Sequence, residues 1–327
     1  MRAIILLALL VAAPPLFAQG DALRGQRLFG GICSACHGGN PTADNFRRAA
    51  AAPNGVNEAL NRVGPMRPLR NVLSAEDIAG LQQFFVAVNL RPVALRPRTG
   101  IYWNPFEGGR GFALESSGDV LAVIAYYYAN TGRATWSIAA GQLSTSQLLT
   151  TLSTQRGGQT LAGPYVAPVS TPSPGPIEAI VTSDSSLVLN WPGGWVLLER
   201  ASLSPTGQLL APRSGAPETG VWWASEEGGR GFTLEVQDDR VFLAGYMYDA
   251  TGEPVWYTAQ GALDPSANRF ESRWLQFAGG QTLTGPWQPN QLLNDNVGPL
   301  VIEFDTPRSG TLVLPDGRRQ RIVRFFP

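Results

Sequence analysis

Lysine is missing from this chain: all 25 of its basic residues are arginine, set against 25 acids, so the formal net charge is zero. Cysteine occurs twice, histidine once and methionine three times in 327 residues. Two cysteines cannot build a disulfide framework for a chain this long. One histidine cannot serve both a catalytic triad and a histidine-rich metal cage. With 44% hydrophobic and 15% charged residues, the chain is neither a disordered acidic tail nor a nucleic-acid-binding arm. Glycine and proline run the other way, at 37 and 26 residues. That is roughly a fifth of the chain, where about an eighth is usual. The excess implies many turns, hence many short strands.

Residues 1–18 read as a secretory signal. Arg2 supplies the positive start and Ala3 to Ala13 an apolar run too short to span a bilayer. Pro14 and Pro15 break the run, and cleavage is expected near Ala18. The alternative is an uncleaved anchor. No later segment reads as a transmembrane helix, so the expected location is periplasmic or secreted.

The aromatic residues divide the rest of the chain. All nine Trp and all eight Tyr lie beyond residue 100. Residues 19–90 carry helical signals instead. Ser74-Ala-Glu-Asp77 is close to a capping box, and Ile78, Leu81, Phe85 and Val88 come after it at helical spacing. Residues 91–98 are a proline-bearing linker. Beyond it lies an internal repeat. Thr99 to Phe112, with Glu107-Gly-Gly-Arg110, returns at Thr219 to Phe232, with Glu227-Gly-Gly-Arg230. Gly157-Gly-Gln-Thr-Leu returns at Gly279-Gly-Gln-Thr-Leu. The copies span 99–201 and 219–327, joined by a linker over 202–218. Period-two alternation in Phe112-Ala-Leu-Glu115 and Phe232-Thr-Leu-Glu235, with turn signals every 8–12 residues, predicts antiparallel strands. Seven or eight strands per copy suit a barrel or sandwich. The glycines of each Glu-Gly-Gly-Arg segment suit a tight turn with its charges in solvent; the other reading is a polar ligand site. Glu226 and Glu227, being adjacent, would point to opposite sides of a strand and make no glycosidase pair.

Both cysteines and the only histidine fall in Cys33-Ser-Ala-Cys36-His37. This is C-x-x-C-H, the covalent haem attachment sequence. Two thiols at that spacing add to the two vinyl groups of one porphyrin edge, and the adjacent histidine reaches the iron. A thioredoxin-like redox pair would need a βαβ context, which is absent from the pattern. A zinc site would lack a fourth ligand. For the distal iron ligand, Met1 leaves with the signal and Met247 lies within a strand pattern. Met66 remains, between Pro65 and Pro68, either as that ligand or as a packing residue at the haem edge.

With these motifs in order, residues 19–90 resemble a small class I monohaem cytochrome c. The resemblance covers under a quarter of the chain. It implies thioether links at Cys33 and Cys36, proximal ligation by His37 and distal ligation by Met66. It also implies crossed first and last helices, with Phe29 near Leu81 and Phe85. The second ring nitrogen of His37 then needs an orienting partner, for which the carbonyl of Asn40 or Pro41 is the candidate. The repeats resemble tandem modules of unknown role in secreted proteobacterial proteins, and their first hairpin that of avidin-like barrels. The expected fold class is multidomain: a small all-α cytochrome c domain followed by two all-β antiparallel barrel- or sandwich-like repeats.

The function expected from these features is one-electron transfer by one covalent haem c, not enzymatic turnover, with the β repeats for docking or binding. The alternative is a secreted binding or adhesion protein with a haem redox or ligand sensor. Peroxidase-like activity would need Met66 to leave the iron. Residues 19–98 hold ten arginines against five acids, and residues 99–327 fourteen against twenty. A basic haem region would steer onto an acidic redox partner protein, or else pack on its own acidic repeats. A further ligand of the repeats is open; nucleic acid is not an expected partner.

Overall fold

The computed structural model describes residues 17–89, 94–192, 194–266 and 268–326. Residues 1–16, which hold most of the expected signal, and residues 90–93, which span the end of the expected helical domain and the start of the expected linker, lie outside them. Among the described residues no helix is long and apolar enough to cross a membrane. The chain divides into two compact units, Met1–Arg91 and Pro92–Pro327.

The first unit is helical: α1 (Phe17–Leu28), a π-helical turn (Phe29–Cys33), α2 (Ser34–His37), α3 (Asp44–Ala51), α4 (Gly55–Arg62), a 3-10 segment (Gly64–Asn71) and α5 (Ala75–Asn89). The start of α5 is a reciprocal capping box. Ser74 Oγ accepts the Asp77 N–H at 3.1 Å, and the Asp77 carboxylate accepts the Ser74 N–H at 2.8 Å. Helices α1 and α5 cross at two glycines so close that a Cβ on Gly25 would stand 2.0 Å from the Gly80 carbonyl oxygen. Below the crossing, Phe29 packs on Phe84 and Phe85, with ring centroids 5.7 and 5.8 Å away, and Phe46 stacks on Phe85 at 4.6 Å.

The assignment of this region to the class I cytochromes c, with its family-level metal and haem-binding attributes, is corrected by the structure. Two eight-stranded barrels make up most of the molecule, and the helical segment before them is short. Among the described residues no three His, Cys, Asp or Glu side chains form a group that could hold a metal ion. The resemblance rested on a five-residue motif and the order of a few helical signals. Both are local, whereas a family is defined by the fold that surrounds them.

The second unit is all β. Strands β1 (Gly100–Trp103), β2 (Gly111–Ser117), β3 (Val120–Tyr128), β4 (Ala134–Gln142), β5 (Gln147–Arg156), β6 (Val169–Ser183), β7 (Ser186–Trp191) and β8 (Gly194–Arg200) pair in sequence order. The barrel closes where Tyr102 and Trp103 of β1 pair with Arg200 and Glu199 of β8. The second barrel repeats the plan with β9 (Gly220–Trp223), β10 (Gly231–Gln237), β11 (Arg240–Tyr248), β12 (Pro254–Asp264), β13 (Arg269–Ala278), β14 (Gln291–Thr306), β15 (Ser309–Val313) and β16 (Arg319–Arg324). It closes through Trp222 and Trp223 against Arg324 and Val323. These are closed up-and-down barrels, so neither leaves a sheet edge. Phe112, Leu114, Leu121, Val123, Leu189 and Leu198 fill the first interior.

The alternation read from the sequence is present, but its outward positions are buried too. Outward-facing Ala113, Ile124 and Trp136 join the core of the second barrel. The barrels pack face to face through β1–β4 and β9–β12, in a reciprocal arrangement like a two-fold dimer written into one chain. Trp136 Nε1 donates to the Met247 carbonyl at 2.9 Å, and Trp256 Nε1 to the Tyr127 carbonyl at 3.0 Å. Glu115 and Glu235, 2% and 0% exposed, reach across in the same way. Glu115 pairs with Arg324 at 2.6 Å and accepts the Val221 N–H; Glu235 pairs with Arg200 at 2.6 Å and accepts the Ile101 N–H. Gly220 permits this approach. Its φ is +135°, and a Cβ there would lie 2.4 Å from the Glu115 carboxylate.

Candidate functional site

The attachment motif is carried by a tight helical relay. Helix α1 widens into the π-helical turn ending at Cys33, and α2 adds one α-helical turn ending at His37. Widened turns of this kind occur often at functional sites. Gly38, with φ of +71°, stops the helix there. Cys33 and Cys36 are three residues apart on this helical run and so share a face. Both thiols are free; Cys33 is buried and Cys36 exposed. Burial, and then the neighbouring Cys36, push the Cys33 thiol up to about 11. At neutral pH it is therefore a protonated thiol. That is the opposite of the depressed pKa expected of a reactive C-x-x-C redox pair.

Cys33, His37 and Met66 line one cavity of about 320 Å³, whose walls include Phe46, Leu60 and Phe85. The rest of the lining is apolar, His37, Asn45 and Arg48 aside. Met66 lies not in an irregular loop but in the 3-10 segment Gly64–Asn71, its N–H donating to the Val63 carbonyl at 2.9 Å. The histidine ring packs edge-on to Phe46, with centroids 5.2 Å apart. Its Nδ1 lies 3.2 Å from Asn45 Nδ2. Neither the Asn40 nor the Pro41 carbonyl fills the orienting role expected of it, and Pro41 O accepts from Asn89 Nδ2 at 3.1 Å instead. Sequence reasoning missed Asn45. Its one signal is its place in the first turn of α3, eight residues after the histidine. A side-chain amide can be turned to present oxygen or nitrogen, so Asn45 can serve either tautomer of His37.

A porphyrin brings four nitrogen ligands of its own, so the protein need offer only axial donors and an apolar slot. At this mostly apolar cavity His37 and Met66 could offer an imidazole and a thioether as donors, with Cys33 in the wall beside them. Cys36 is not part of the cavity lining.

The repeated Glu-Gly-Gly-Arg segments belong to the barrel interface, which corrects the expectation that their charges sit in solvent. Arg110 and Arg230 are only 6% and 3% exposed. Arg110 donates to Glu107 at 2.8 Å and to the Leu283 carbonyl; Arg230 donates to Glu227 and the Leu161 carbonyl, each at 2.8 Å. In return, Gln281 donates to Glu107 O and Gln159 to Gly228 O, each at 3.2 Å. Each copy's Glu-Gly-Gly-Arg turn thus grips the other's Gly-Gly-Gln-Thr-Leu segment. Glu226 and Glu227 lie in that turn, between β9 and β10. No family model, no curated protein and no solved structure matches this chain.

Proposed function

We propose that this is an exported one-electron carrier with a single haem c, held through Cys33 and Cys36 and ligated by His37 and Met66. The observation that carries the reading is the shared apolar cavity of Cys33, His37 and Met66. When bound, the haem supplies an iron that changes its charge by one electron. Cys33 and Cys36 would each hold the group through a thioether made by adding S–H across a vinyl, an addition that needs no oxidant. His37 would bind through Nε2, which places the proton on Nδ1 and asks Asn45 to accept it through Oδ1. Phe46, Leu60 and Phe85 exclude water from the cavity, and the Met66 thioether raises the reduction potential. With His37 and Met66 both committed to the iron, no position would be left for oxygen or peroxide, and the bound haem would supply electron transfer.

The test is the full chain exported from a host with haem-attachment machinery. Haem staining should persist on a denaturing gel and disappear in Cys33→Ser/Cys36→Ser. No covalent haem in the unaltered chain would refute the proposal. Met66→Ala should keep the stain and lose the weak sulfur-to-iron charge-transfer band. An unchanged band would remove Met66 as ligand.

A further inference from the structure

The two barrels are near-copies, yet their outer faces differ where a small molecule could enter. Between β1 and the segment after β8 on one side, and β11–β13 on the other, lies a cavity of about 390 Å³. That volume is within the usual range for ligand sites, about 300–1,000 Å³. Its walls present the rings of Trp103, Tyr126, Phe242, Trp256 and Phe277.

The internal repeat supplies a control: an offset of 120 relates the wall residues of β11 and β12 to those of β3 and β4, and an offset of 124 relates the segments that follow the closing strands. Ala244 and Thr258 line the cavity where the counterparts are Ile124 and Ile138. Ala201, just after β8, lines it where the residue just after β16 is Phe325, which packs on Trp223 at 5.0 Å. Trp103, the counterpart of Trp223, is 38% exposed. Three large residues are thus replaced by small ones on one side only. Two exchanges go the other way, with Phe242 and Gln260 for Ala122 and Ala140, and these place a ring and an amide on the wall.

The lining also fixes the chemistry. Among the described residues Arg110 is the only charged one there, and Glu107 and backbone carbonyls already engage its guanidinium. The Tyr126 hydroxyl is tied to Thr233 at 3.0 Å and the Trp256 N–H to the Tyr127 carbonyl, so both offer ring surface rather than polar atoms. The Ser202 hydroxyl donates to the Gln208 carbonyl and the Asn290 amide to the Tyr128 hydroxyl, so the Thr258 hydroxyl and Gln260 amide mark one polar edge. We infer that this cavity binds an uncharged, flat, fused-ring molecule carrying one polar substituent. Aromatic walls favour such a ligand through stacking, and a carboxylate there would meet no uncommitted cation.

The inference does not depend on the haem and is tested on the full chain by calorimetric titration with 2-naphthol. Saturable binding is expected, with 2-naphthoate at least tenfold weaker. Ala244→Ile/Thr258→Ile, which copies the other half of the molecule, should weaken 2-naphthol at least tenfold. Ala201→Phe, which copies the ring covering Trp223, is a second blocking variant should the first fail to fold. The inference is overturned by absence of 2-naphthol binding, by equal binding of the anion, or by unaltered affinity in a folded blocking variant.

Discussion

The helical unit and the double barrel treat buried polar atoms in opposite ways. In the barrels, Glu115, Glu235, Arg110 and Arg230 lie in an interface where carboxylates meet guanidinium or backbone N–H groups and guanidiniums meet carboxylates and carbonyls. In the helical unit, Cys33, His37 and Met66 line a cavity whose other walls are mostly apolar. The first arrangement is complete within the chain and holds two barrels in register. The second gathers a thiol, an imidazole and a thioether at one cavity. Repetition of a charged motif therefore marks architecture when each copy completes the other.

This contrast can be broken experimentally, because all nine tryptophans lie in the β unit and all the described helices in the other. Tryptophan fluorescence tracks one and helical circular dichroism the other. Glu235→Ala should have the largest effect. It leaves Arg200 buried without its carboxylate and should cost about 3–5 kcal/mol in denaturant unfolding monitored by fluorescence. A loss under about 1 kcal/mol would show that the clasp is not needed. Gly25→Ala comes next, since its new methyl must displace the Gly80 backbone. About 1–3 kcal/mol should be lost from the helical transition alone. An equal shift in fluorescence would mean that the units unfold together. Trp136→Phe should cost about 1–3 kcal/mol in the β transition, because the buried Met247 carbonyl loses its donor.

The smallest effect is a pH dependence confined to the helices. Hydrogen bonds from Ser74, and after it Arg24, hold the Asp77 carboxyl below its ordinary value. Its contribution is therefore complete above the ordinary carboxylate value of about 4 and is lost as pH falls through the depressed value. Asp77→Asn should flatten the acid limb of helical melting and leave the fluorescence transition where it was. An unchanged acid limb would remove Asp77 from that role.

Much of this was legible in the sequence. The repeat, its turns and its period-two strands pointed to two antiparallel β modules, because alternation and glycine turns are local signals. Ser74 and Asp77 marked the start of α5 for the same reason. The spacing of Cys33, Cys36 and His37 was readable because it lies within five consecutive residues. The class I cytochrome resemblance stretched such local signals to a whole fold. The solvent-exposed reading of Arg110 failed because the carbonyl that buries it belongs to Leu283, 173 positions later.

The sequence by itself determined the strands, the capped helix and the spacing of Cys33, Cys36 and His37, since each depends on neighbours within a few residues. Tertiary structure alone decided that Met66 faces the cavity of Cys33 and His37, that Asn45 rather than a carbonyl meets the histidine, and that the two repeats grip each other. These depend on which distant surfaces meet, and burial, which decides whether a charge or a sulfur is partnered, is a property of the packed molecule.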